Sequence, residues 1–313
     1  MISHIARLHL TLVALVGFVL AIVFGFLFLP SYELKAEMPL YCTKAPSEVD
    51  LVATAAYAED LVSGEVLYAK NANAQLPLAS LTKIMTVVTA IPYLPEGVVK
   101  VPLEALEPEG DSGLRVNETW SIKDLTDFTL MSSLNDGART LALAAAAANG
   151  KDLDWFISEM NKNANQLGLS QTFFLNDTGL DISSTTAGAY GSAKDIARLF
   201  AYFAIKDSQE AEGSVVQSRT FISLDQTTHN AKNTSGASVL IDRVMLSKTG
   251  FTDLAGGNLG VVYEPLLGRP VAVVVLGSTR EKRDEDIALL AEAAKKELKR
   301  KLLCEKFYEN YGN

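Results

Sequence analysis

The chain contains 313 residues, of which 48% are hydrophobic and 21% are charged, and its formal net charge at pH 7 is −9. That length allows one large domain or two modest ones. The negative charge argues against a nucleic-acid partner, which would attract a basic surface. Of the three histidines, His4 and His9 lie in the membrane-anchor region described below, which leaves His229 and two distant cysteines. A His-ligated zinc site cannot be assembled from these residues. We expect neither a metal nor a cofactor.

The N-terminal part of the chain contains an uncharged stretch at residues 10–29. This length matches the hydrocarbon core of a bilayer and predicts a transmembrane helix. Arg7 precedes the stretch and Glu33 and Glu37 follow it, which places the N-terminus in the cytoplasm and the remainder outside. The alternative is a signal peptide cleaved near Ala36. Under either interpretation the domain is exported. Only an uncleaved anchor would keep it bound to the membrane.

Helices are predicted through the middle of the chain. Residues 80–90 lack Gly and Pro, and the alanine-rich stretch 138–148 is almost uncharged, so both should be buried. Ser192 is a plausible cap for a helix that runs to about residue 205. The polar stretch 132–137 interrupts the helical pattern and predicts a loop suited to site residues. The remaining predicted helices are at residues 124–131 and 155–167.

Strands are predicted near both ends of the domain. Residues 51–57 and 65–69 flank Ser63-Gly64 and predict a β-hairpin. A strand at 243–249 precedes a second hairpin, of 260–263 with 271–276, and the uniformly apolar 271–276 should be central. The polar region 206–238 has no clear period and is interpreted as loops and short pieces, with His229 on the surface. A helix with one apolar face follows, at about 287–302.

This order of elements predicts a mixed α/β lobe built from the two ends of the domain, with a helical lobe inserted between them. We place the anchor region at residues 1–30, a linker at 31–48, the main domain at 49–305 and a short tail at 306–313. Cys42 and Cys304 flank the globular region. They are either free or joined as a disulfide in an oxidising compartment.

Ser80 and Lys83 are three residues apart at the start of the predicted buried helix. A serine hydroxyl is a weak nucleophile and needs a base within hydrogen-bond reach. Helical spacing would place Lys83 on the same face, one turn away. An amine acts as a base only when neutral, which burial, the positive helix end and a second cation all favour. Taken alone, the pair is better explained by a helix cap followed by a solvated lysine.

Two further triplets follow in order, Ser133-Leu134-Asn135 and Lys248-Thr249-Gly250. Either triplet by itself is too short to indicate a function. Together with Ser80-x-x-Lys83 they form the signature of penicillin-recognising serine enzymes. The scarcity of histidine also favours lysine as the base, because a Ser-His-Asp enzyme would have to use His229.

At this point the chain resembles the low-molecular-weight penicillin-binding proteins of the D-alanyl-D-alanine carboxypeptidase type. The resemblance covers roughly residues 49–301. It includes sequence around the triplets, such as Pro77-Leu78-Ala79 before Ser80 and Phe251-Thr252-Asp253 after Gly250. The resemblance implies a β-lactamase/transpeptidase-like α/β fold, in which helices flank an antiparallel sheet.

The resemblance also implies catalytic roles. Ser80 would be the nucleophile, Lys83 its base and Ser133 a proton relay. The backbone N–H groups of Ser80 and Phe251 would form the oxyanion hole, which is typically worth several kcal/mol in the transition state.

Substrate-binding roles follow from the same resemblance. Asn135 would hold the amide of a peptidoglycan stem peptide that ends in D-Ala-D-Ala. Lys248 and Thr249 would bind its terminal carboxylate, with Gly250 beside them, and β-lactams would be inhibitors. The chain departs from the family at Asp177-Thr178, where Pro-His is frequent, and this departure leaves substrate choice open.

The leading function is therefore an anchored serine peptidase that removes terminal D-Ala from stem peptides. An endopeptidase that cuts cross-links would use the same residues, and a β-lactam sensor would be acylated without turnover. A class A β-lactamase is less consistent with the sequence, because the chain lacks a Glu-x-x-Leu-Asn stretch, whose glutamate would activate the deacylating water. A transpeptidase usually has a longer chain.

Overall fold

The computed structural model describes residues 9, 14–19, 39–43, 48–94, 97–110, 112–206 and 213–311. The predicted membrane segment at 10–29 lies outside the described residues except for 14–19, which are helical. Within these described ranges, no helix is both long enough and apolar enough to span a bilayer. The predicted anchor and the domain boundaries therefore stay predictions.

The chain divides into two compact units, residues 44–303 and a smaller one formed by 1–43 with 304–313. Within the smaller unit, Cys42 and Cys304 form a disulfide. Of the two alternatives for the cysteines, the paired one is therefore observed. The helices, in chain order, are α1 (Leu40–Thr43), α2 (Thr82–Ala90), α3 (Ile122–Ser132), α4 (Asn135–Ala148), α5 (Leu153–Gln166), α6 (Ala193–Lys206), α7 (Ala237–Leu240) and α8 (Arg283–Tyr311).

The strands form one large sheet and several small ones. The large sheet has five strands in the order β10-β11-β12-β1-β2, and every neighbouring pair is antiparallel. The strands are β1 (Ala55–Asp60), β2 (Val66–Lys70), β3 (Leu76–Pro77), β4 (Val98–Lys100), β5 (Thr119–Ser121), β6 (Phe173–Phe174), β7 (Ala189–Gly191), β8 (Ser218–Ile222), β9 (Thr228–Lys232), β10 (Val244–Thr252), β11 (Gly256–Leu266) and β12 (Arg269–Ser278).

This arrangement confirms the predicted architecture. Strands from both ends of the larger unit form one mixed α/β lobe, and the helices between them form the other. The apolar strand β12 is central, as predicted, and alternate residues serve opposite faces of the sheet. Ala272, Val274 and Leu276 pack with α6 and the helical lobe, whereas Val271, Val273 and Val275 pack against α8.

Side-chain caps set the starts of three helices. The hydroxyl of Ser121 accepts a hydrogen bond from the backbone N–H of Asp124 at the start of α3. The carboxylate of Asp152 does the same for α5, and the hydroxyl of Ser192 for α6. Each cap satisfies one N–H group that the helix leaves without a partner. The predicted cap at Ser192 is therefore confirmed.

Several element boundaries differ from the sequence prediction. The first hairpin begins at Ala55 rather than at residue 51, although its pairing with β2 is as predicted. The predicted loop at 132–137 is reduced to Ser133 and Leu134, because α4 already begins at Asn135. Asn135 is thus held by a helix rather than by a loop.

The region 206–238, interpreted as loops and short pieces, contains the β8–β9 hairpin. Phe221 and Ala231 are the buried residues of the two strands, so the sequence shows no apolar alternation. The prediction of a surface histidine was wrong. The ring of His229 packs 5.2 Å from that of Trp120 and 5.6 Å from that of Phe128, and its Nε2 lies 2.7 Å from Oε1 of Glu118.

Candidate active site

Ser80 lies in a short 3₁₀ turn, Ala79–Leu81, that continues directly into α2. Ala79 adopts a left-handed conformation with φ of 49°, which is unfavourable for a residue with a side chain. The hydroxyl of Thr82 donates to the carbonyl of Ala79 at 2.7 Å and holds this turn closed. On its outer side a Cβ at Gly179 would come within 1.9 Å of the same carbonyl oxygen. Position 179 must therefore be glycine for the turn to pack as it does.

Lys83 is buried, and its Nζ contacts three oxygen atoms. It lies 2.8 Å from Oγ of Ser80, 2.7 Å from Oδ1 of Asn135 and 2.9 Å from the carbonyl oxygen of Thr178. The amide and carbonyl oxygens only accept hydrogen bonds, so they engage two N–H groups of the amine. The third tetrahedral position of Nζ then faces the hydroxyl of Ser80. In the neutral amine that position holds the lone pair, which can take the serine proton.

A second serine–lysine pair lies on the opposite side of the cavity. Ser133 is the left-handed residue that joins α3 to α4, with φ of 61°. Lys248 on β10 donates from Nζ to Oγ of Ser133 at 2.8 Å and to the carbonyl oxygen of Thr249 at 2.9 Å. Both residues are buried. The geometry thus connects a hydroxyl of the helical lobe with a cation of the sheet.

The strand that carries Lys248 approaches Ser80 closely because position 250 is a glycine. A Cβ at this position would lie 2.8 Å from the carbonyl oxygen of Leu78 and 3.3 Å from the backbone nitrogen of Ser80. The side chain of Asn258 donates to the carbonyl of Leu78 at 3.1 Å and fixes the turn against the sheet. Gly250 therefore permits the contact that the predicted oxyanion hole of Ser80 and Phe251 requires.

Hydroxyl and guanidinium groups extend the site beyond Thr249. Its Oγ1 lies 2.6 Å from Oγ1 of Thr234. Arg283 donates to the carbonyl oxygens of Gly250 at 3.1 Å and Thr234 at 3.2 Å. Burial lowers the pKa of Arg283 below its usual value, but a guanidinium remains charged in proteins. This end of the site is suited to an anionic group.

These side chains surround one cavity of about 460 Å³. Five of the predicted site residues line it, and Lys83 and Lys248 are buried next to the hydroxyl groups that they contact. Sequence reasoning missed the other half of the lining. The complete lining is Ser80, Gly110, Ser133, Asn135, Leu180, Thr234, Thr249, Phe251, Arg280 and Arg283.

Sequence reasoning also missed the contribution of Asp177 and Thr178, which it noted only as a departure. Thr178 acts through its backbone carbonyl, which any residue supplies. Asp177 is buried, and both its carboxylate oxygens accept from Nε of Arg139, at 3.0 and 2.9 Å. Its own carbonyl accepts from the hydroxyl of Thr86 at 2.6 Å. Asp177 thereby ties the segment that supports Lys83 to both α2 and α4.

Comparison with known proteins identifies the family. Residues 42–280 match the model of a family described as D-alanyl-D-alanine carboxypeptidase. The chain belongs to this family. The predicted family and the predicted class, a serine D-Ala-D-Ala carboxypeptidase, are thus confirmed.

Individual relatives agree with this assignment. The D-alanyl-D-alanine carboxypeptidase DacF of Bacillus subtilis is 33% identical over 161 residues, which cover 49% of this chain and 39% of that relative. A D-alanyl-D-alanine endopeptidase of Pseudomonas aeruginosa is 29% identical over 248 residues, which cover 74% of this chain and 73% of the relative. The match with the Bacillus enzyme therefore spans well under half of that enzyme's length.

A solved structure shows the same fold. Penicillin-Binding Protein D2 of Listeria monocytogenes, in its ampicillin-bound form, superimposes with a TM-score of 0.67 at 28% identity. The match covers 79% of this chain and 99% of that one. The predicted mixed α/β, transpeptidase-like fold, with an antiparallel sheet and helices, is therefore confirmed.

Proposed function

We propose that this chain removes the terminal D-Ala from peptidoglycan stem peptides through an acyl-enzyme on Ser80, and that penicillins acylate the same hydroxyl. The observation that carries the proposal is the pair of serine–lysine contacts, each 2.8 Å long, in a single site. One pair generates a nucleophile and the other can supply a proton to the leaving amine. The substrate class rests on the family and on the anion-binding end at Thr249.

Acylation begins with a neutral Lys83, a form that burial favours. Its amine takes the hydroxyl proton as Oγ of Ser80 attacks the carbonyl carbon of the scissile amide. The resulting oxyanion is stabilised by the backbone N–H groups of Ser80 and Phe251. When the C–N bond breaks, the leaving nitrogen takes a proton from the hydroxyl of Ser133, which regains one from Lys248. The terminal D-Ala then leaves as a free amino acid.

Substrate orientation follows from the fixed polar groups. The side chain of Asn135 accepts from Lys83 at 2.7 Å and donates to the carbonyl oxygen of Glu109 at 2.9 Å, so its amide plane is held. We assign to it the amide on the acyl side of the substrate. The terminal carboxylate lies against Lys248 and Thr249.

Deacylation reverses the proton transfers. A water molecule loses a proton, through the hydroxyl of Ser133, to the now neutral amine of Lys248 and attacks the ester carbon. Oγ of Ser80 leaves with the proton held on Lys83, and the shortened stem peptide is released. Both lysines thereby return to their starting forms. A penicillin forms the same ester by opening its ring. Its leaving amine remains attached, because the broken C–N bond belongs to the ring.

We further propose that the domain is exported and held by residues 10–29. The composition and flanking charges of that segment support this proposal, as does the Cys42–Cys304 disulfide, since such bonds persist in oxidising compartments. A protease-accessibility assay on intact cells tests it. Digestion of the domain only after lysis would contradict an external location.

The function is tested by D-Ala release from an acyl-Lys-D-Ala-D-Ala peptide, with Ser80→Ala as the control. We expect release from the natural enzyme and none from the variant. An enzyme that is acylated by penicillin but releases no D-Ala would contradict the carboxypeptidase.

The second candidate function is cleavage of cross-linked stem peptides. It is favoured by the relatives named D-alanyl-D-alanine endopeptidase, from Pseudomonas aeruginosa and Escherichia coli, each of which is matched over 73% of its length. Cross-linked muropeptides are the substrate that tests this function. Faster cleavage of these than of the linear peptide would make it the principal activity.

A further inference from the structure

Arg280 lies between β12 and α8, at the mouth of the active-site cavity. It lines the cavity and is exposed. The carbon of its guanidinium lies 5.1 Å from the centroid of the Phe251 ring, in a cation–π contact. In the part of the chain that the structure describes, Arg280 forms no ion pair. It is therefore a positioned cation, available to a ligand in the cavity.

Arg280 lies at the end of the site assigned to the leaving group. A continuous set of contacts leads outward from Thr249 to Thr234 and then to Arg283. Burial is the main cause of the lowered pKa of Arg283, and the positive charge of the nearby Arg280 lowers it further. Arg283 is committed to two backbone carbonyls, whereas Arg280 is not. The outer cation thus extends the anion-binding end beyond the carboxylate position at Lys248 and Thr249.

We propose that Arg280, held on the ring of Phe251, binds a second carboxylate on the leaving group. This proposal rests on the proposed function and specifies its substrate class. A guanidinium presents a planar pair of donors that matches a carboxylate. The aromatic contact restricts the side chain before the substrate arrives, which reduces the entropy lost on binding. The preferred substrates are those whose leaving amine belongs to a residue or peptide with more than one acid group.

A single D-Ala leaving group has one carboxylate, which Lys248 and Thr249 already bind. A leaving group that is itself a peptide, as in a cross-linked stem, can carry additional carboxylates. Arg280 therefore favours cleavage of cross-linked or otherwise acidic substrates over cleavage of a simple terminal D-Ala. The same enzyme retains the carboxypeptidase reaction, because Arg280 does not contact Ser80, Lys83 or Ser133.

The test uses three peptides that differ only in the leaving residue: acyl-Lys-D-Ala followed by D-Ala, D-Gln or D-Glu. D-Gln and D-Glu have nearly the same shape, so their ratio isolates the second charge. In the full-length enzyme we expect kcat/KM for D-Glu to exceed that for D-Gln by about fivefold, which corresponds to about 1 kcal/mol, the upper end for an exposed ion pair. We expect the preference to appear in KM rather than in kcat.

Two variants decide whether Arg280 is responsible. Arg280→Gln should reduce the ratio of kcat/KM for D-Glu to kcat/KM for D-Gln to about one, whereas Arg280→Lys should retain part of the preference. Lys282→Gln is the matched control, since Lys282 is an exposed cation nearby that pairs with Glu285 and is absent from the cavity lining. It removes the same charge and should leave the preference intact.

The outcomes separate this proposal from the proposed function. Equal kcat/KM for D-Glu and D-Gln in the natural enzyme would overturn the second carboxylate site while D-Ala release remained. A D-Glu preference that survived Arg280→Gln would also overturn it. Failure of all three peptides, with Ser80 still acylated by penicillin, would instead contradict the carboxypeptidase function.

Discussion

The two serine–lysine pairs have the same hydrogen-bond length but opposite structural origins. Ser80 and Lys83 are three residues apart at the start of one helix, whereas Ser133 and Lys248 are separated by 115 positions and belong to different lobes. Helix geometry alone places the first pair together. The second pair exists only when the helical lobe is correctly placed against β10. In the proposed mechanism, activation of the nucleophile is thus locally encoded, and proton delivery to the leaving group is a property of the folded domain.

The local pair nevertheless depends on remote groups for its chemistry. Two of the three oxygen atoms around Nζ of Lys83 come from Asn135 and Thr178, which are 52 and 95 residues away. They leave one position of the amine facing Ser80. Helical spacing gives the distance, and the tertiary structure gives the direction of the lone pair.

The largest expected effect is that of Ser80→Ala, which removes the nucleophile from the local pair. We expect acylation by fluorescent penicillin to fall by about 10⁴-fold or more, as for other covalent catalysts that lose their nucleophile. The circular dichroism spectrum and melting temperature should be unchanged. Labelling that persists in this variant would remove Ser80 from its role.

A smaller effect is expected for Lys248→Ala, which breaks the long-range pair. Loss of a buried charge partner costs about 2–5 kcal/mol, so we expect kcat/KM for peptides with a terminal carboxylate to fall by about 10² to 10³-fold. The loss should be smaller for the same peptide ending in a carboxamide. Lys151→Ala, which removes an exposed lysine, is the control, and an equal loss on both substrates would argue against carboxylate binding.

Asp177→Asn tests the ion pair with Arg139, which ties the segment that contains Thr178 to α4. It neutralises a buried carboxylate and leaves Arg139, which is 17% exposed, without its partner. Such a change costs about 3–5 kcal/mol when both groups are fully buried, so we expect about 2 kcal/mol here, measured by urea unfolding. Asp154→Asn, at an exposed site, should cost less than about 0.5 kcal/mol.

Activity distinguishes a positioning role for Asp177 from a purely structural one. If the segment holds the carbonyl of Thr178 toward Lys83, the rate of penicillin acylation should also fall under fully folded conditions. A destabilised variant with a normal acylation rate would show that Lys83 keeps its orientation without this ion pair.

The smallest effect on stability is expected when the contact between Glu118 and the β8–β9 hairpin is removed. Burial alone would raise the pKa of Glu118, but hydrogen bonds from His229, the backbone of Arg115 and Trp120 outweigh it and lower the pKa below its usual value of 4.5. A carboxyl whose pKa is lowered on folding stabilises the protein above its unfolded pKa, and this contribution is lost as pH falls through the folded pKa.

We therefore expect Glu118→Gln to reduce the free energy of unfolding by up to about 1 kcal/mol at pH 7. The difference from the natural protein should shrink as the pH is lowered from about 5 to 3. Urea unfolding at several pH values measures it. A difference that grew on acidification would contradict the direction of the pKa shift.

Sequence reasoning recovered what depends on local spacing and on apolar periodicity. The start of α2, the cap at Ser192 and the central position of β12 each follow from a short stretch of residues. The pairing of Ser133 with Lys248 does not follow from spacing, because no periodicity relates residues so far apart. The resemblance placed both residues in one site but did not pair them, and the structure brings the two side chains together.

The missed features share a physical cause. Thr178 contributes a backbone carbonyl, which leaves no mark on residue identity. Thr234 and Arg283 enter the site only because tertiary packing brings their segments to β10. Strands β8 and β9 bury one residue each and therefore lack the alternation that identifies a strand. A polar hairpin and a backbone hydrogen-bond acceptor can be identified only from the folded structure.

The most direct test of the central claim is to locate the penicillin adduct in the full-length protein by peptide mapping and mass spectrometry. We predict a single adduct on the peptide that contains Ser80, with the mass of the intact drug, and its disappearance in Lys83→Ala at neutral pH. An adduct on a peptide that lacks Ser80, or one formed at the normal rate without Lys83, would contradict the serine–lysine mechanism.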